Sequence, residues 1–158
     1  MSNSWQAQVN QKLYFAQLLL TDASDKSGSS EQALLQAAAF HLVTAYRLYL
    51  KEIAQNQNHS TNAVDARNAC RQFAAQGWVC QELEELARLE EDGQWPVRLL
   101  LAYYEIIGEA AAPTTTKAAP NSIAMADITE AADADIYRQW LQQFQIVIAA
   151  QRESAQEW

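Results

Sequence analysis

The stretch that most constrains this chain runs from residue 30 to residue 56, SEQALLQAAAFHLVTAYRLYLKEIAQN. It has no glycine and no proline, and it is rich in Ala, Leu and Gln, so it favours an unbroken helix. At about 100° per residue, Leu35, Leu42, Tyr46, Tyr49 and Ile53 form the centre of one face. Ala39, Val43 and Leu50 widen that face on one side, and Leu34, His41, Ala45 and Leu48 on the other. The apolar arc then covers roughly 220° of the helix. A helix with so narrow a polar strip has to be covered on most sides, which places it at the centre of a helical bundle.

The remaining elements follow from periodicity and punctuation. Residues 4–21 carry Trp5, Val9, Leu13, Ala16 and Leu20 at helical spacing. DASDKSGSS at 22–30 is a polar turn, after which Ser29 and Gln32 match a capping box for the central helix. A third helix is predicted over about 61–76, capped by Ser60 or Thr61, with Ala63, Ala66, Cys70, Phe73 and Ala74 as its stripe and Gly77 as its stop. A fourth is predicted over about 79–91, with Val79, Leu83 and Leu86 inward, ending at Asp92-Gly93. Trp95-Pro96 opens a fifth, with Leu100, Tyr104 and Ile107 as its inner face. The last is predicted to begin near Thr129, with Glu130, Asp133 and Asp135 at the positive end of its dipole. Its core stripe is Ile136, Trp140, Phe144 and Val147. No segment alternates with period two. The expected fold is all-α, an irregular bundle of about six helices arranged as antiparallel hairpins. It forms a single helical domain over 1–158, with a flexible linker at about 112–128 whose prolines and threonines cannot sustain a helix.

Charge narrows the function. The net charge is −8 and no basic stripe is visible in the sequence, which argues against nucleic-acid binding by the chain itself. The densest charged run, ELEELARLEED at 82–92, has six acids against Arg88 alone and reads as a solvated face. Acidity of this kind suits solubility or a basic partner. Two cysteines, Cys70 and Cys80, form neither a disulfide framework nor a zinc pattern and read as reduced thiols of a cytoplasmic protein. The N-terminus lacks a signal-peptide pattern, and no apolar run is long enough for a membrane span.

Candidate chemistry is sparse. His41 and His59 are the only histidines, and neither has a Glu three residues before it, so no carboxylate-bridged metal motif exists and no cofactor is expected. His41 lacks a nucleophile and an orienting group one turn away and reads as a boundary histidine with one ring nitrogen bonded to a neighbour. No glycine loop can cradle a phosphate. No catalytic residue is assigned. Tyr46 and Tyr49 read as core aromatics, with an aromatic ligand cavity completed by Tyr104 as the alternative. The outer strip of the central helix is more informative. It contains Phe40, Thr44, Arg47 and Lys51, and a large apolar group beside an Arg on the only polar face suits a surface for another protein, a homodimer contact or a dock for residues 123–128, with a simply exposed Phe as the fourth reading.

Four stretches, NQKLYFA at 10–16, AAFHLVTAYRLYLKEIA at 38–54, LARLEEDGQWPVRLLLAYYEI at 86–106 and IYRQWLQQFQIVIAAQRE at 136–153, resemble an uncharacterised family of small helical proteins from gammaproteobacteria. They cover somewhat under half the chain. The resemblance implies a bundle with a variable Pro-rich linker before its last helix, and it implies no activity. A looser likeness is to the HEPN class of helical bundles. Its RNA-cleaving members place a His four to six residues after an Arg, and here neither Arg47 nor Arg67 has one. The expected function is therefore a non-enzymatic interaction or regulatory module, with a small-molecule-binding bundle as the alternative.

Overall fold

The computed structural model describes residues 4–108 and 132–157, and among them it holds six helices and no strand. These are α1 (Ser4–Ala23), α2 (Gly28–Asn56), α3 (Ala66–Ala75), α4 (Gln81–Glu91), α5 (Trp95–Ile106) and α6 (Ala134–Gln156). The all-α bundle matches the sequence expectation. The linker expected at 112–128, and the start of the last helix near Thr129, lie outside the described residues.

As its wide apolar arc requires, α2 is central. Ala38, Ala39, Leu42, Ala45, Tyr46, Leu50 and Ala54 are completely inaccessible. Phe15 of α1 packs on His41, and Trp5 of α1 lies against Lys51. Positions rise along one helix as they fall along the other, so α1 and α2 form an antiparallel hairpin. The same logic makes α5 antiparallel to α2, since Tyr46 meets Trp95 and Phe40 meets Tyr103. In contrast, α6 runs parallel to α2: Tyr46 packs on Phe144, while Tyr49 and Glu52 bond Gln151 and Arg152 further along α6. Four helices thus enclose the core, and at its heart Tyr46, Tyr49, Trp95 and Phe144 meet with ring centroids 4.9–5.9 Å apart. These edge and tilted packings are the favourable ones for aromatic quadrupoles.

Helices α3 and α4 form a smaller hairpin at the side of this framework. Gly77, at φ +77°, stops α3 as expected, because only glycine enters that region without strain. Several local expectations are corrected. Ser29 and Gln32 do not form a capping box: α2 begins two residues earlier than expected, at Gly28, and Ser27 at the cap position makes no side-chain cap bond. Neither Ser60 nor Thr61 caps α3. Asp65 does, accepting from the Asn68 amide at 2.7 Å, and Thr61 instead bonds Ala63 and Gln72 within the loop. Val79, expected inward, is 82% exposed because it precedes α4. Ala74 is exposed, and Ala69 takes its place in the α3 stripe. In α5 the buried face is Trp95, Pro96, Leu99 and Leu100, whereas Ile107 is exposed and Tyr104 is half-buried on the outer side. Among the described residues, no helix is long and apolar enough to cross a membrane.

Candidate interaction surface

The outer strip of α2 lies between α1 and α5. Phe40 is 55% exposed, yet its ring is held, 6.2 Å from His41 edge-on and 6.2 Å from Tyr103 of α5. One turn on, the Thr44 hydroxyl donates to the Phe40 carbonyl at 2.8 Å, so it is satisfied within its own helix. Arg47 is engaged rather than free. Its Nε donates to the Val64 carbonyl at 3.2 Å, its Nη2 to the Tyr104 hydroxyl at 3.1 Å, and its guanidinium stacks 5.5 Å from the Tyr103 ring centre. The Lys51 ammonium sits 5.1 Å over the Trp5 ring of α1. Phe40 and Arg47 therefore share one aromatic neighbour, Tyr103, which sequence reasoning did not place at the strip. The signal available was Tyr103-Tyr104 at the end of an otherwise apolar helix.

The aromatic contacts continue across three helices. Tyr14 packs near Phe15, Phe15 on His41, His41 on Phe40, Phe40 on Tyr103, and Tyr103 on Tyr104. His41 is the middle of this band. The expectation of a bonded ring nitrogen is corrected: Nδ1 is buried and has no hydrogen-bond partner, because aromatic rings surround it where a polar group was anticipated. Burial, and secondarily the Lys12 charge, hold its imidazole below the ordinary value. His41 is thus the uncharged form at neutral pH, consistent with a ring wedged between two phenylalanines.

Two polar networks tie the bundle together. In the first, Glu90 of α4 is 2% exposed, the one acid of segment 82–92 that leaves the solvated face. Its Oε2 accepts from the Tyr46 hydroxyl and the Ala66 amide, both at 2.9 Å, and its Oε1 accepts from the Arg67 amide at 3.0 Å. The Glu90 carboxylate therefore fills the N-terminus of α3, where free amides and the dipole favour an anion. Burial, then the Asp65 charge, push it up to about 7 against the pull of those bonds. Its position was readable in outline, since Glu90 follows Leu83 and Leu86 on the inward stripe of α4.

The second network closes the other end. The Tyr49 hydroxyl donates to Gln151 Oε1 at 2.6 Å, and Gln151 Nε2 donates to Glu85 at 2.8 Å. Arg152 grips both Glu52 oxygens, at 2.8 and 2.9 Å, and reaches Asn10. A polar cleft of about 610 Å³ opens above this network, bordered by Tyr49, Glu52, Glu82, Gln151 and Arg152. The tyrosine cavity suggested by the sequence does not assemble. Tyr46 and Tyr49 are packed in the core, and Tyr104 is half-buried with its hydroxyl bonded to Arg47.

The two histidines stay apart. His59 stacks between Phe73 and Trp78, far along the fold from His41 among Phe15 and Phe40. Both cysteines are free. Burial, and then neighbouring Glu84, push the Cys70 thiol up to about 12, while burial pushes Cys80 up to about 11, which leaves both thiols protonated and poorly nucleophilic. Among the described residues no group of three or more His, Cys, Asp or Glu is placed to hold a metal ion.

Fold and surface together define a small acidic helical protein whose distinctive outer feature is an aromatic strip on its central helix. The chain belongs to the family of unknown function DUF6586, whose model matches residues 1–158. No curated protein matches it, and no solved structure does.

Proposed function

We propose that this chain is a non-enzymatic interaction module that binds a protein partner through the α2 strip of Phe40, Thr44, Arg47 and Lys51, with Tyr103 beside it. One observation carries the reading. Phe40 is a large apolar side chain, 55% exposed and flanked by two rings, on a stretch of α2, residues 37–54, in which no other residue is exposed. A rigid aromatic anchor binds at low entropic cost, and aromatic and Arg side chains dominate interface energetics. The looser HEPN likeness, without the Arg-to-His spacing, suits the same binding role. Free thiols at Cys70 and Cys80 suit work in the cytoplasm.

The test is quantitative affinity capture with the wild type and Phe40→Ala, alongside light scattering of both. Partners lost on Phe40→Ala support the reading, and an unchanged partner list sinks it. A dimer that Phe40→Ala dissolves would make the partner a second copy. Arg47 is left intact because it also holds the Val64 loop. A second reading, a small-molecule-binding bundle, is supported by the polar cleft over Gln151 and Arg152, whose volume is in the range of ligand pockets. It predicts that a screen of small polar metabolites raises Tm, and that the rise vanishes in Gln81→Ala at the cleft rim.

A further inference from the structure

We propose that the segment docking on the α2 strip is an acidic peptide stretch with an apolar anchor, an inference that rests on the strip reading above. The strip is locally cationic in a molecule of net charge −8. It is flanked by α1 and α5, and residues 4–21, 32–51 and 95–104 of these three helices contain no Asp or Glu. Lys12, Arg47 and Lys51 line it, each over an aromatic ring at 5.6, 5.5 and 5.1 Å. Among the described residues none of the three has an ion pair; Arg71, Arg88 and Arg98 have none either, but Lys26, Arg67, Arg138 and Arg152 do.

The nearest acids are turned elsewhere. Glu52 follows Lys51 but is buried and closed by Arg152. Asp65 follows Val64, but its carboxylate caps α3. Glu105 follows Tyr104, but its charge acts on Tyr137 of α6, whose hydroxyl it helps to raise. The net negative charge does not cancel this local field, because at physiological salt charges more than about 8 Å apart are largely screened.

The chemistry specifies the occupant. Carboxylates would pair with the Lys12 and Lys51 ammonium groups and with the donors Arg47 has left on its fork. An aromatic or aliphatic side chain would cover Phe40. From Phe40 to Lys51 the strip runs about 16 Å, which suits roughly three turns of a docked helix. A nucleic-acid strand fits less well, since its phosphates continue past the strip onto the acidic remainder of the molecule.

Random dodecapeptides displayed on phage and selected against the folded protein test this. Recovered peptides are measured by fluorescence anisotropy against the wild type, Phe40→Ala and Lys12→Glu/Lys51→Glu, with circular dichroism to verify each fold. Oligothymidine is measured in parallel. The expected peptides carry net negative charge and a large apolar residue. They weaken at least about tenfold on each variant and weaken with added salt. Peptides that lack net negative charge, yet are lost on Phe40→Ala, overturn the acidic partner while leaving the strip in place. Peptides that bind Phe40→Ala unchanged overturn the strip itself. No enriched peptide, or tighter binding of oligothymidine than of any peptide, also overturns the proposal.

Discussion

Glu90 shows how one residue couples distant parts of the chain. A carboxylate in the core would ordinarily be expensive, yet here two amides of α3 and the Tyr46 hydroxyl replace most of its water. Burial still dominates, so the folded-state value near 7 lies above the ordinary 4.5. The folded protein therefore holds a proton that the unfolded chain releases between those values. The stability from this proton is fully present below pH 4.5 and is lost as pH rises through 7. Relative to Glu90→Gln, the wild type should lose roughly 3 kcal/mol of stability across that window, then little more above it. Urea unfolding of both proteins at several pH values measures this, and parallel curves would refute the shifted carboxyl. Glu90→Ala, which strands Tyr46 and both amides, should cost about 2–4 kcal/mol below pH 4.5, and less as pH rises through 7 and the wild type loses its own Glu90-linked stability.

At the scale of elements, α6 is tied in by more than its apolar stripe. Tyr137, Trp140, Leu141, Phe144 and Ile148 bury its face, but Gln151 and Arg152 fix its far end to α1, α2 and α4. The Glu52 side chain is 8% accessible and Arg152 20%, so the pair is largely desolvated. Arg152→Met should leave Glu52 buried without its counter-charge and cost about 3–5 kcal/mol, while adding Glu52→Leu should recover much of that loss. Chemical denaturation of the two variants decides it, and equal losses would show the pair has no special weight. The contrast between faces of α2 is also testable. Leu42→Ala, at a fully buried position, should cost about 2–5 kcal/mol, and Phe40→Ala no more than about 1 kcal/mol. The central role of α2 was readable from its arc alone. The caps were not: Asp65 outcompetes Ser60 and Thr61 because α3 must start where Glu90 can reach its first amides, a contact 24 residues away in sequence.

Over the whole molecule, charge is segregated rather than spread. Each Lys→Glu exchange subtracts two charges, so Lys12→Glu/Lys51→Glu takes the chain from −8 to −12. Stability should nonetheless change by no more than about 1–2 kcal/mol, since both cations are half-buried, lack ion pairs among the described residues and lose only a ring contact each. Thermal melting measures this, and collapse of the fold would mean that these cations are structural. The sequence by itself determined the helices, the identity of the most buried one and the oddity of Phe40, because those depend on periodicity along a single helix. Only the tertiary structure decided that α6 runs parallel to α2, that Tyr103 supports Phe40 and Arg47, and that Tyr46 and the first amides of α3 are the partners of Glu90. Each of these depends on which helices become neighbours, and that is set by packing between segments far apart in the chain rather than by any local pattern.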